Sequence, residues 1–118
     1  MNKCHFLGKL SDDPRLTNRA KSNGSTVDCV NFSLMVSRKF KKRGGELGTQ
    51  KCFLNFEAWD EGARIIEESF KKGDWISVYA SAKTESYTNK NGDVVSSVKF
   101  RVNDFEFPFT EELESVVA

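Results

Sequence analysis

Alternation of apolar and polar residues with a period of two restricts the fold of this chain more than any other feature. It recurs in four segments. Over 28–36, Val30, Phe32, Leu34 and Val36 fall on one side, and Asn31, Ser33 and Met35 on the other. Over 51–59 the apolar set is Cys52, Leu54, Phe56 and Ala58, and over 75–87 it is Ile76, Val78, Ala80 and Ala82. Over 94–102 it is Val94, Val98, Phe100 and Val102. A fifth segment, 3–10, has Cys4, Phe6 and Leu10 in phase. Successive side chains of a strand point to opposite faces, so each segment predicts a strand with one face in a core.

One helix is legible, over 61–72. Ala63, Ile66 and Phe70 recur at helical spacing with Ile65 beside them. Asp60 is placed to cap its start, Lys71 and Lys72 to occupy its last turn, and Gly73 to follow its end. Lys90-Asn91-Gly92-Asp93 reads as a hairpin turn, residues 41–50 as a longer hairpin loop, and 11–26 as a polar connection carrying Pro14. The order is three strands, a helix and two strands. It predicts an all-β fold with one helix: an OB-fold, a five-stranded Greek-key barrel with the helix between strands 3 and 4. A chain of 118 residues makes one such domain. We assign it to 1–108, with a short acidic C-terminal tail at 109–118 containing Glu111, Glu112 and Glu114.

Composition excludes several classes of function. No apolar run reaches the length of a membrane span, and the charged start of the chain is unlike a signal peptide. Cys4, Cys29 and Cys52 form no close pair and His5 is the only histidine, so no structural metal is expected. The thiols read as small core hydrophobes in a reducing compartment. Phosphate-loop, dinucleotide and nucleophile-elbow motifs are absent. The expectation is a protein that is not an enzyme and takes no cofactor. A carboxylate-metal nuclease is the one catalytic alternative.

Net charge is +1, but it is a sum of opposites. Residues 1–58 carry +6 and residues 59–118 carry −5. Five cations crowd six positions in Arg38-Lys39-Phe40-Lys41-Lys42-Arg43. Phe53 and Trp59 fall on the non-core side of their strand, Tyr87 does so at the end of its own, and Phe40 sits among the cations. Each can also be packing beneath a loop, and a basic run can be a solvated loop. Single-stranded nucleic acid wants both features, because unpaired bases stack on aromatic rings and phosphates want cations. The candidate stacking residues are Phe40, Phe53, Trp59 and Tyr87. The candidate phosphate contacts are Arg38, Lys39, Lys41, Lys42, Arg43, Lys51, Lys83 and Lys90. Lys3, His5 and Leu7 of the first strand, with Trp75 and Tyr79, are expected at a subunit contact.

These residues resemble the bacterial-type single-stranded DNA-binding protein (SSB) family from about Asn2 to Phe107. The likeness rests on Asn2-Lys3 through Gly8-Lys9-Leu10, Asp13-Pro14 and Val30-Asn31-Phe32-Ser33-Leu34. It continues in Ala63 with Phe70-Lys71-Lys72-Gly73-Asp74, and in Thr84 and Tyr87 with Asn91-Gly92-Asp93. The resemblance implies an OB barrel, sequence-independent binding and protection of single-stranded DNA in replication, recombination or repair, and a homotetramer, with a dimer as the alternative. It implies stacking by Phe40, Phe53, Trp59 and Tyr87, where relatives often carry Trp or Phe. Leu54 stands where some members have a His that supports assembly. The family's Gly/Pro/Gln-rich tail and acidic tip, which dock replication and repair proteins, have no counterpart before Glu114-Ser115-Val116-Val117-Ala118. Docking of those partners is therefore not carried over. The short form would suit a phage- or plasmid-encoded member or a trimmed product. The implied location is the cytoplasm, on the nucleoid or in a host cell. An RNA-binding or primosomal OB protein, or a protein-only interaction module, are the alternatives.

Overall fold

The computed structural model describes residues 1–108; the expected acidic tail at 109–118 lies outside the described residues. Six strands and one helix run in the order β1 (Cys4–Leu10), β2 (Arg15–Ala20), β3 (Thr26–Lys41), β4 (Leu47–Trp59), α1 (Asp60–Ser69), β5 (Trp75–Thr88) and β6 (Val94–Glu106). Strands neighbour one another in the order β1-β5-β6-β4-β3, and β1 also pairs with β3, which closes a five-stranded barrel. All pairings are antiparallel except β4 with β6, which meet at Phe56–Phe100 and Glu57–Arg101.

The alternation predicts the barrel interior well. Val30, Phe32, Leu34, Phe56, Ala58, Ile76, Val78 and Ala80 are all buried, as is Leu10. Phe56 sits at the centre. It stacks on Phe32 at 5.3 Å between ring centroids and meets Phe6 edge-on at 5.5 Å. Ala63 and Ile66 of α1, with Phe70 just beyond it, complete this core. The barrel closes where β1 swings from β5 to β3, at Lys9–Met35 and Leu10–Leu34. Gly8 stands at that crossing. A Cβ there would come 2.8 Å from the Met35 carbonyl oxygen, so only glycine lets the strands approach so closely.

The connection expected over 11–26 contains a strand instead. β2 lies outside the barrel on the edge of β3, so the helix falls between β4 and β5 in chain order, which are barrel strands three and four. All six β2 side chains are exposed, so it has no apolar alternation to announce it. Backbone pairing and a few side-chain bonds hold it. Thr17 Oγ1 donates to the Cys29 carbonyl, and Asn18 Nδ2 donates to Asp28 Oδ1. Asp28 also accepts from Arg64 of α1 at 3.2 Å, joining β2, β3 and the helix.

The helix boundaries also differ from expectation. Trp59, not Asp60, is the N-cap, and no side chain caps the helix. Asp60 has φ of +60°, the one positive φ among the described non-glycine residues. The helix stops at Ser69, because Phe70 turns extended to reach the core. Lys71 and Lys72 therefore lie beyond the last turn. Their backbone N–H groups donate to Asp74 and Asp13.

Two hairpins outrun the barrel. Beyond Met35 and Phe53, β3 and β4 pair only with each other, up to a turn at 42–46. Beyond Lys83 and Lys99, β5 and β6 do the same, up to a turn at 89–93. Three residues expected to face the core, Cys52, Val94 and Val98, lie on these arms and are exposed. They have the correct phase for burial, but no core lies opposite them.

Candidate nucleic-acid interface

The arms set the geometry of the candidate site. In the β3–β4 arm, Met35 faces Phe53, Ser37 faces Lys51 and Lys39 faces Thr49, all on one side. Arg38 faces Gln50 and Phe40 faces Gly48 on the other side. The register runs without a slip, so the basic cluster divides between the two faces: Lys39, Lys41 and Lys51 accompany Phe53, while Arg38 accompanies Phe40. The Arg38 guanidinium donates to Gln50 Oε1 at 3.0 Å. Lys42 and Arg43 lead into the turn at the tip, exposed like the rest of the cluster. The Phe40 ring lies across Gly48, where a Cβ would come within 2.7 Å of it. A larger residue at 48 would push the ring away.

Phe53 is 64% exposed and Tyr87 58%, large values for rings with nothing to cover. Tyr87 pairs with Val95 on the β5–β6 arm, and Lys90 is exposed at that arm's tip. Phe40 is more sheltered, at 39%. Trp59 differs from all three. It is half-buried at the junction of β4 and α1, and its indole N–H is buried without an acceptor among the described residues. The guanidinium carbons of Arg19 and Arg101 each lie 5.9 Å from its ring centroid.

Lys83 is not free. Its ammonium pairs with Glu57, a carboxylate only 3% exposed, and approaches Glu85 at 3.4 Å. Lys99 stands 3.9 Å from the same Glu57 and donates to Asn31 Oδ1 at 2.6 Å. The hydrogen bond to Glu57 holds the Lys83 ammonium above its ordinary pKa, against the opposing effect of burial. Beside this cluster a groove of about 510 Å³ is lined by Arg15, Asn31, Ser33, Asn55, Ser97 and Lys99, among others. Burial pushes the Cys29 thiol pKa up, which fits a core hydrophobe. Cys4 is half-buried and Cys52 exposed, so the core reading holds for Cys29 alone.

Four of the five residues expected at a subunit contact, His5, Leu7, Trp75 and Tyr79, lie on one face of the β1–β5 ribbon. His5 pairs with Tyr79, Leu7 with Ser77 and Lys9 with Trp75 along the β1–β5 ribbon. His5 stacks on Tyr79 with ring centroids 4.2 Å apart, and Lys9 Nζ lies 5.3 Å from the Trp75 centroid. Leu7, Trp75 and Tyr79 are exposed, and Lys3 is exposed just before the strand begins.

Sequence reasoning missed Arg19, Lys99 and Arg101. The signal for the last two was present. The apolar phase of 94–102 puts both on the outward side, where Phe53 and Trp59 had been singled out. Arg19 had no such signal, because β2 carries no alternation.

A closed five-stranded barrel with aromatic and cationic side chains on its outer arms defines an OB-fold protein. The model of the single-strand binding protein family matches residues 1–108, and the chain belongs to that family. Among its relatives, single-stranded DNA-binding protein 2 of Clostridium acetobutylicum is 34% identical over 92 residues, 78% of this chain and 65% of that protein. Single-stranded DNA-binding protein 1 of Streptococcus pyogenes is 27% identical over 106 residues, covering 90% and 77%. Single-stranded DNA-binding protein 1 of Chlorobaculum tepidum is 33% identical over 94 residues, covering 79% and 56%. The match thus spans 56–77% of each relative's length. The fold is also similar to a Plasmodium falciparum SSB solved in complex with ssDNA. The TM-score is 0.74 at 19% identity, with 90% of this chain and 91% of that one covered.

Proposed function

We propose that this chain binds single-stranded DNA without sequence choice and protects it during replication, recombination or repair, as a non-catalytic protein of the cytoplasm. The observation that carries this reading is Phe53, exposed on an arm whose same face presents Lys39, Lys41 and Lys51. An exposed ring stands among cations that have no carboxylate partner among the described residues. Phe40, Trp59 and Tyr87 extend the stacking path. Arg38, Lys42, Arg43 and Lys90 extend the phosphate contacts. Lys83 serves as the counter-ion of Glu57. Duplex DNA offers no free base faces to such rings, so single strands are the favoured form. Family membership and the names of the relatives support the same reading.

The chain forms a homo-oligomer through the β1–β5 face, and a tetramer is the form proposed. An exposed band of Leu7, Trp75 and Tyr79 supports it, because apolar patches of this kind mark contact surfaces. No helix among the described residues is long and apolar enough to cross a membrane. The reading is tested by competing oligo-dT against single-stranded RNA and duplex DNA for the purified protein. Preference for oligo-dT supports it; equal or better binding of RNA or duplex contradicts it.

A further inference from the structure

The cations at the groove differ from those of the β3–β4 arm in one respect: each has a carboxylate. Arg15 lies 4.0 Å from Asp12. Lys83 pairs with Glu57 and approaches Glu85 at 3.4 Å, and Lys99 stands 3.9 Å from Glu57. Lys39, Lys41, Lys42, Arg43 and Lys51 have no such partner among the described residues. Glu57 joins the groove cluster together. It is the one buried charged residue among those described, and its two carboxylate oxygens face two different ammonium groups.

The groove also lies between the two arms. Because β4 and β6 pair in parallel at Phe56–Phe100, both hairpins leave the barrel in the same direction. Asn55, at the root of one arm, and Glu85 and Ser97, at the root of the other, line the cleft between them. A strand that touches both Phe53 and Tyr87 spans this cleft, with the Glu57 cluster at its root. Charge decides what the cluster offers such a strand. Lys83 and Lys99 are two cations, and Glu57 and Glu85 are two anions, so the cluster is neutral. A lysine that leaves Glu57 for a phosphate weakens the pairing of a carboxylate already removed from water, which is strongly disfavoured. Removing the charge of Glu57 ends that constraint and leaves one cation uncompensated.

We infer that Glu57 is a positioning residue that limits the grip on single-stranded DNA: it withholds Lys83 and Lys99 from the backbone phosphates, so the arms hold the strand and the cleft between them attracts it little. The inference rests on the single-strand-binding reading above and gives one carboxylate a part in setting the affinity.

The test titrates the full chain with oligo-dT over a range of salt. Each phosphate neutralised on a single strand contributes about −0.7 to the slope of log K against log[salt]. Glu57→Gln keeps the shape of the side chain and removes its charge. It is expected to bind oligo-dT more tightly than wild type at low salt, with a slope steeper by about 0.7, the contribution of one phosphate. Its melting temperature is expected to fall. A purely structural role for Glu57 predicts no such opposition, because a weakened barrel does not tighten its ligand. Lys83→Met leaves Lys99 beside Glu57 and is expected to keep the wild-type slope, since the lysine it removes held no phosphate. This variant carries the test if Glu57→Gln does not fold. Folded Glu57→Gln with the wild-type slope, or with weaker binding, overturns the inference. A Lys83→Met slope shallower by about 0.7 overturns it too. Wild-type protein that does not bind oligo-dT overturns the single-strand reading instead.

Discussion

Phe53 and Lys83 show how much the surroundings of one side chain decide. Both were singled out from sequence for the same surface, and the structure gives them different surroundings. Phe53 is exposed, so Phe53→Ala should leave the fold intact. We expect it to weaken oligo-dT binding by about 1–3 kcal/mol, the measured range for a stacked base. Titration and thermal melting of the same variant check both halves. Lys83 instead neutralises a buried carboxylate. Breaking a buried pair costs about 3–5 kcal/mol. However, Lys83 is 38% exposed and Lys99 lies 3.9 Å from the same Glu57. Solvent and the second lysine should reduce the loss in Lys83→Met to about 1–2 kcal/mol. The pair raises the pKa of Lys83 above 10.5, so its stabilisation is complete below that pH and fades as pH climbs through the folded-state value. Urea unfolding should therefore show a clear gap between wild type and Lys83→Met at about pH 8 and a smaller gap at about pH 11.5. A gap that grows with pH would contradict the pairing.

At the scale of elements, what was legible in the sequence followed burial. Phe32, Phe56, Ile76 and Val78 announced their strands because one face of each had to be apolar. β2 was not legible, since its six exposed side chains gain nothing from alternation and its hold on β3 is backbone pairing. The arms were half legible. Val94 and Val98 kept the period of a core strand, but whether a core lies opposite them depends on where β1 and β4 stop. The site divides in the same way. Local pattern found Phe40, Phe53, Trp59 and Tyr87; Arg19 and Arg101 reach Trp59 only through strand order. A consequence follows for dynamics. Residues paired on both sides in the barrel should hold their amides longest, and arm residues paired to one neighbour should exchange early. Hydrogen exchange should find Val30, Phe56 and Val78 slow, and the stretches 37–50 and 85–97 fast. Adding oligo-dT should slow the arms and leave the barrel unchanged. Equal protection of arms and barrel in the free protein would contradict this division.

For the whole molecule, near-zero net charge and a polyanionic ligand are compatible because the charge is unevenly placed. The first 58 residues carry +6 and include the whole β3–β4 arm. The exposed β1–β5 face, with Leu7, Trp75 and Tyr79, lies on other strands than that arm, so assembly and DNA binding need not compete for the same residues. Leu7→Asp should lower the mass in solution while each chain keeps its fold, which sedimentation and circular dichroism would show together. A mass equal to wild type would mean that this face is not the contact.

The central claim is that exposed rings and free cations on the barrel and its arms grip a single strand. Titrating the purified protein with oligo-dT at two salt concentrations, following intrinsic fluorescence, tests it most directly. The claim predicts saturable binding that weakens as salt rises, with a slope of about −0.7 for each phosphate held. An absence of binding, or an affinity indifferent to salt, would contradict it.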